Sequence, residues 1–148
     1  MKRNLKTCIV WGAGSWGTSL AVHLSKRFEK VAIWVFDEKQ FKNMQKMREN
    51  KDFLKGVKLP KNISLFNKIN DIPFKANLWL SVTPTQFLRS LWDKIACYCD
   101  KKTLVVSASK GIENNTLLLP SEIITSFMKN KSIVVLSGPS FAKDFAKG

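Results

Sequence analysis

The chain has 148 residues, of which 45% are hydrophobic and 24% charged, enough for one domain with a packed core. No apolar run approaches the ~18 residues of a membrane-spanning helix, so a membrane partner is not expected. Lys and Arg total 25 against 11 acids, a net charge of +14, but the lysines are scattered and form no block interleaved with aromatics, so a solvated surface is expected ahead of a nucleic-acid-binding face.

The start, Met1-Lys2-Arg3-Asn4-Leu5-Lys6, is basic but leads into a short apolar run at residues 7–11. That run reads as a first strand, so no signal peptide is expected. It enters Gly12-Ala13-Gly14-Ser15-Trp16-Gly17, and a helical pattern over residues 15–28 leaves it, with Leu20, Ala21, Leu24 and Phe28 on one face. Strand, glycine turn and helix in this order suit a dinucleotide pyrophosphate. Gly12 permits the tight turn, Gly14 leaves room for the phosphates, and Gly17 lets the helix pack closely on the strand. The helix N-terminus offers unpaired N–H groups to the anion. His23 lies on this helix without a candidate partner and is expected to pack or face solvent.

A second strand, residues 31–36, ends at Asp37, 20 positions after Gly17. An acid there suits the adenosine ribose of NAD and repels a 2′-phosphate. NAD is therefore the expected cofactor. Lys39 keeps NADP open. A helix over 38–49 follows, with Phe41, Met44 and Met47 at helical spacing. Residues 50–75, with Gly56, Pro60 and Pro73, read as a long connection around a short strand at 63–66. Further strands are predicted at 77–82, 103–108 and 132–137, and helices at 85–98 and 120–129. The first of these helices carries Leu88, Leu91, Trp92 and Ile95 on one face. Strands alternating with helices predict an α/β fold, a doubly wound, mostly parallel Rossmann-type sheet. Cys8, Cys97 and Cys99 are odd in number, and Cys97-x-Cys99 has no second pair to complete a zinc site in a chain with a single histidine. They are expected to be buried or partly buried free thiols, with no metal.

Ligands of such a sheet bind beyond the carboxyl ends of its strands. Three ends carry unusual chemistry: Thr83-Pro84-Thr85-Gln86-Phe87, Ser109-Lys110-Gly111-Ile112-Glu113, and Ser137-Gly138-Pro139-Ser140-Phe141-Ala142. Pro84 fixes a turn, and Phe87 either packs in the core or lies against a flat ring. Lys110 beside Gly111 places a cation where a phosphate or polarised oxygen can sit. Gly138-Pro139-Ser140 suggests another helix N-terminus with a hydroxyl.

Together these segments resemble the NAD(P)-dependent glycerol-3-phosphate dehydrogenase family. The matching pieces are residues 12–21, the Pro84 turn, Ser109–Glu113, Ser137–Ala146, and Asn50–Leu54 with Leu59–Ile63. The resemblance implies reversible hydride transfer between glycerol 3-phosphate and dihydroxyacetone phosphate. It implies that Ser15, Trp16, Phe36, Phe87, Lys110 and Ala142 contact the cofactor, and that Lys110, Gly138 and Ser140 face the substrate. Family members carry a C-terminal helical domain that holds the acid/base lysine and most of the substrate phosphate site. Residues 1–148 are therefore expected to form the NAD(P)-binding domain without its last strands and without that helical domain. The chain alone is expected to be inactive, with Lys110 in a supporting role and no catalytic residue of its own. The resemblance further implies a cytoplasmic enzyme of glycerol-3-phosphate metabolism and phospholipid biosynthesis, a homodimer when complete. Self-association through an exposed sheet edge is also expected. The alternatives are another 3-hydroxy-acid dehydrogenase and a non-catalytic nucleotide- or nucleic-acid-binding module.

Overall fold

The computed structural model of the protein describes residues 6–128, 131–138 and 141–147. Its strands are β1 (Thr7–Trp11), β2 (Lys30–Trp34), β3 (Ile63–Phe66), β4 (Leu78–Ser81), β5 (Leu104–Ser107) and β6 (Ile133–Val135). They form one sheet in the order β3-β2-β1-β4-β5-β6, and every pairing is parallel. The order reverses between β1 and β4. That reversal opens the crevice in which doubly wound sheets bind ligands.

The helices are α1 (Ser15–Leu24), α2 (Glu38–Met47), α3 (Thr85–Ile95), α4 (Pro120–Phe127) and α5 (Ala142–Lys147). Side chains along each strand alternate between two cores. Cys8, Val10, Val31, Ile33 and Val35 pack on one face with Leu20 and Ala21 of α1 and Met44 of α2. Ile9, Trp11, Ala32, Trp34 and Trp79 pack on the other with Leu88, Leu91, Trp92 and Ile95 of α3 and Ile123 and Ile124 of α4. The helical faces predicted at 20–28 and 88–95 are therefore the ones buried. α5 docks against α1: Ser19 Oγ donates to the Ala142 carbonyl at 2.7 Å, and Phe145 meets the rings of Trp16 and His23.

Several elements are shorter than their periodicity predicts, and side-chain amides account for two of them. β2 stops at Trp34, not at residue 36. The Asn67 amide donates to the carbonyls of Val35 and Phe36, which draws the chain out of the ladder. α1 stops at Leu24, not at residue 28. Asn62 Nδ2 donates to the carbonyls of Ser25 and Phe28 and closes that end with a turn. α3 tightens into a 3₁₀ turn over Ala96–Tyr98. Even on a continued α-helix, position 97 falls opposite the face of Leu88, Leu91, Trp92 and Ile95. All three cysteines are free, but Cys97 is exposed, contrary to the expectation of buried or partly buried thiols. Cys8 lies in the core, where burial pushes its thiol far above its ordinary range. Among the described residues, no helix is long and apolar enough to cross a membrane.

Candidate functional site

The glycine turn sits where the strand order reverses. Gly12 has φ +131°, and a Cβ built on it would lie 2.8 Å from the Val82 carbonyl oxygen. The turn after β1 and the chain leaving β4 thus touch backbone to backbone, which only glycine allows here. Gly17 is still more confined, since its Cβ would stand 2.2 Å from the Gly12 carbonyl oxygen. The first turn of α1 rests on the glycine turn itself rather than on β1. Gly14 is the opposite case: a Cβ there would meet nothing within 4 Å. Gly14 is also the N-cap of α1, without a side-chain cap and without an acid in the first turn. The first intrahelical hydrogen bond runs from the Thr18 N–H to the Gly14 carbonyl. The N–H groups of Ser15, Trp16 and Gly17 are left for an anion at the positive end of the helix.

At the end of β2, Phe36 is 80% exposed and touches Trp34 edge-on. Asp37 is not the last residue of a strand, as the sequence suggests, but the N-cap of α2. Its Oδ1 accepts from the Gln40 N–H at 2.6 Å. The carboxylate is exposed beyond the carboxyl edge of the sheet. One residue serves as both cap and candidate ribose acceptor.

The lysine loop after β5 is fastened along α3. Ser109 Oγ donates to the Thr83 carbonyl at 2.7 Å, Thr85 Oγ1 to the Lys110 carbonyl at 2.7 Å, and Gln86 Nε2 to the Ile112 carbonyl at 2.9 Å. Arg89 grips Glu113 through two parallel hydrogen bonds of 3.0 and 2.7 Å, a geometry that fixes direction as well as charge. Lys110 Nζ lies 5.7 Å from the centre of the Trp16 ring and 3.5 Å from the Gly138 carbonyl oxygen. These residues border a cleft of about 330 Å³ with Phe141, Asp144 and Phe145. Gly111 and Gly138 both have positive φ, +102° and +137°. Phe87 is 63% exposed on the first turn of α3, so the core reading of this residue is wrong. Ala142 opens α5 and lines a second cleft with Ser15 and residues 51–55. Pro139 and Ser140 lie outside the described residues.

Arg89 and the Thr116 hydroxyl hold the Glu113 carboxyl below the usual glutamate range. The Gly56 N–H and Lys58 do the same for Glu49. A depressed folded pKa means stability that is present above the ordinary glutamate value and lost as pH falls through the folded one. The chain should therefore lose stability on acidification. Glu113→Gln should flatten that acid limb, read as melting temperature against pH. A limb as steep as the parent's would show that Glu113 does not contribute.

A family profile described as NAD-dependent glycerol-3-phosphate dehydrogenase N-terminus matches residues 7–148. The chain belongs to this family. It is 40% identical over 97% of its length to a glycosomal glycerol-3-phosphate dehydrogenase [NAD(+)] of Leishmania mexicana, of which it covers 41%. It is 35% identical over 93% of its length to a glycerol-3-phosphate dehydrogenase [NAD(P)+] of a Thermoanaerobacter strain, again covering 41%. The crystal structure of glycerol-3-phosphate dehydrogenase from Coxiella burnetii matches 98% of the chain with a TM-score of 0.88 at 24% identity, over 44% of that chain. The likeness to that structure supports the fold alone. The chain spans about two-fifths of the length of the curated relatives.

Two features of this family member escaped the sequence reading. Asn50 is fully buried, and its amide donates to the Ala13 carbonyl at 2.9 Å and to Thr18 Oγ1 at 2.8 Å. The Arg89–Glu113 clamp joins residues 24 apart. Neither has a local signal. A buried asparagine in a polar connection looks like any loop residue until the fold brings the turn to it.

Proposed function

We propose that the chain is the dinucleotide-binding part of an sn-glycerol-3-phosphate dehydrogenase. The observation that carries this reading is the open space over Gly14, in front of the uncapped N-terminus of α1. A pyrophosphate fits there against the Gly14, Ser15, Trp16 and Gly17 backbone. Asp37 would take the adenosine ribose, and the exposed Phe36 ring would lie beside the adenine. Phe87, Lys110 and Ala142 would border the rest of the cofactor. The nicotinamide, when bound, supplies or accepts the hydride that interconverts glycerol 3-phosphate and dihydroxyacetone phosphate.

The acid at Asp37 favours NAD over NADP, because a 2′-phosphate would meet a carboxylate. Titration of the chain with both reduced cofactors tests this. NADH should bind more tightly, and tighter binding of NADPH would refute the preference.

On the substrate side, Lys110 would sit near a phosphate or carbonyl oxygen, with Gly138 beside it, and the family resemblance adds Ser140 as a substrate contact. Lys110 positions and polarises. The proton-handling lysine and most of the phosphate site would come from a helical domain that follows in the complete enzyme. Val134 and Val135 of β6 are exposed, which supports further strands packing on that side of the sheet. We place the complete enzyme in the cytoplasm as a homodimer that feeds phospholipid synthesis. The chain alone should not oxidise NADH with dihydroxyacetone phosphate. Measurable turnover would overturn the inactive-half reading.

A further inference from the structure

We infer that Asn50, helped by Gln40, is a positioning residue that presets the phosphate-binding N–H of Gly14. The inference rests on the dinucleotide reading above. Two side-chain amides converge on one carbonyl in the glycine turn. Asn50 Nδ2 donates to the Ala13 oxygen at 2.9 Å, and Gln40 Nε2 donates to the same oxygen at 2.7 Å. The Ala13–Gly14 peptide is planar and trans, so its C=O and N–H point in opposite directions. Holding the Ala13 oxygen inward therefore turns the Gly14 N–H the opposite way, at a residue whose own Cβ would meet nothing within 4 Å.

Glycine on both sides of Ala13 makes this orientation expensive to leave to chance. Gly12 and Gly14 impose little torsional restraint of their own, and an untethered peptide between them would flip among several states. The Asn50 amide replaces that freedom with one orientation. Asn50 is itself anchored, since its Nδ2 also donates to Thr18 Oγ1 in the first turn of α1. Gln40 lies in the first turn of α2, and its N–H is held by the Asp37 cap. The first turn of α2 thus ties the carboxylate proposed to read the ribose to the carbonyl that orients the phosphate donor. The sequence segment from Asn50 onward is no passive connection: its first residue reaches back to the turn.

The test compares NAD binding by the parent chain with Asn50→Asp, Asn50→Leu and Gln40→Leu. Asn62→Ala is the control. Asn62 also donates to two carbonyls, but at the opposite end of α1. Loss of a preset donor should weaken NAD by about tenfold in Asn50→Leu and in Asn50→Asp at pH near 8. Asn62→Ala should lower the melting temperature yet leave the NAD affinity unchanged. Asn50→Asp carries a readout that a purely structural role does not move. An ionised carboxylate repels the Ala13 oxygen, whereas the protonated acid donates to it. Its NAD affinity should recover as pH falls, while the parent's stays flat.

Should an Asn50 variant fail to fold, the more exposed Gln40→Leu still gives the answer, with a smaller loss of NAD affinity and a parent-like fold. Folded Asn50 and Gln40 variants that bind NAD as the parent does would overturn the inference while leaving the dinucleotide reading intact. A parent chain that binds no dinucleotide would overturn the reading and the inference with it.

Discussion

Gly17→Ala is expected to cost about 3 kcal/mol of folding stability, from a single added methyl group. The Cβ would stand 2.2 Å from the Gly12 carbonyl oxygen and 3.1 Å from its carbon. Both are backbone atoms, so no side chain can swing aside. Gly12 cannot retreat either, because its own Cα faces the Val82 carbonyl at the distance a Cβ would turn into a clash of 2.8 Å. The strain must move the whole N-terminal turn of α1 away from the sheet, with Leu20 and Ala21 behind it. For a domain of this size, that loss lowers the melting temperature by about 10 °C. NAD affinity should fall at least ~100-fold, because the N–H groups of α1 no longer converge on one point. A thermal melt followed by circular dichroism reads the first effect, and a cofactor titration at low temperature reads the second. A melt unchanged from the parent would mean that α1 does not press on the glycine turn.

The glycine turn shows what a sequence can state and what it cannot. Its three glycines, the flanking strand and helix, and the acid 20 residues on are all local patterns, and the strand–turn–helix unit stands where they put it. The apolar helical faces at residues 20–28 and 88–95 were legible for the same reason, since their spacing is a property of neighbouring positions. What stayed hidden is contact between distant segments. Gly17 was expected to ease packing on the strand, yet it fits against Gly12 because the turn folds back under the helix. The end of β2 misled by two residues because Asn67, on the far side of α2, takes the carbonyls that would have extended the ladder. Phe87 was ambiguous because an aromatic in the first turn of an amphipathic helix suits either face. The direction of that turn decided it. Lys110 was placed at a strand end correctly. Its fastening by Thr85 and by Glu113 on Arg89 depends on α3 lying alongside, which no spacing in the sequence reveals.

The sharpest separation of ligand from fold lies at Gly14. Gly14→Val should leave the structure nearly untouched and remove NAD binding. The backbone there has φ −71° and ψ −175°, extended values that any L-residue adopts. The added Cβ would meet no protein atom within 4 Å. Valine is a poorer N-cap than glycine, which sets the expected stability loss at about 1 kcal/mol or less. The same side chain would fill the space over the N–H groups of Ser15 and Trp16. A pyrophosphate would have to retreat beyond hydrogen-bonding distance, and the helix field weakens within the first turn. NAD affinity should therefore fall at least ~100-fold while the melting temperature stays within about 3 °C of the parent's. Gly14→Ser gives a graded version. Its hydroxyl can accept from the N–H of the second or third helical residue and cap α1, so stability should hold or rise slightly. The phosphate then loses both the space and a donor. The two variants together distinguish steric exclusion from competition for the donors, since only serine occupies an N–H. If both bind NAD as tightly as the parent, the pyrophosphate does not lie over Gly14, and the dinucleotide must enter the crevice by the Lys110 side.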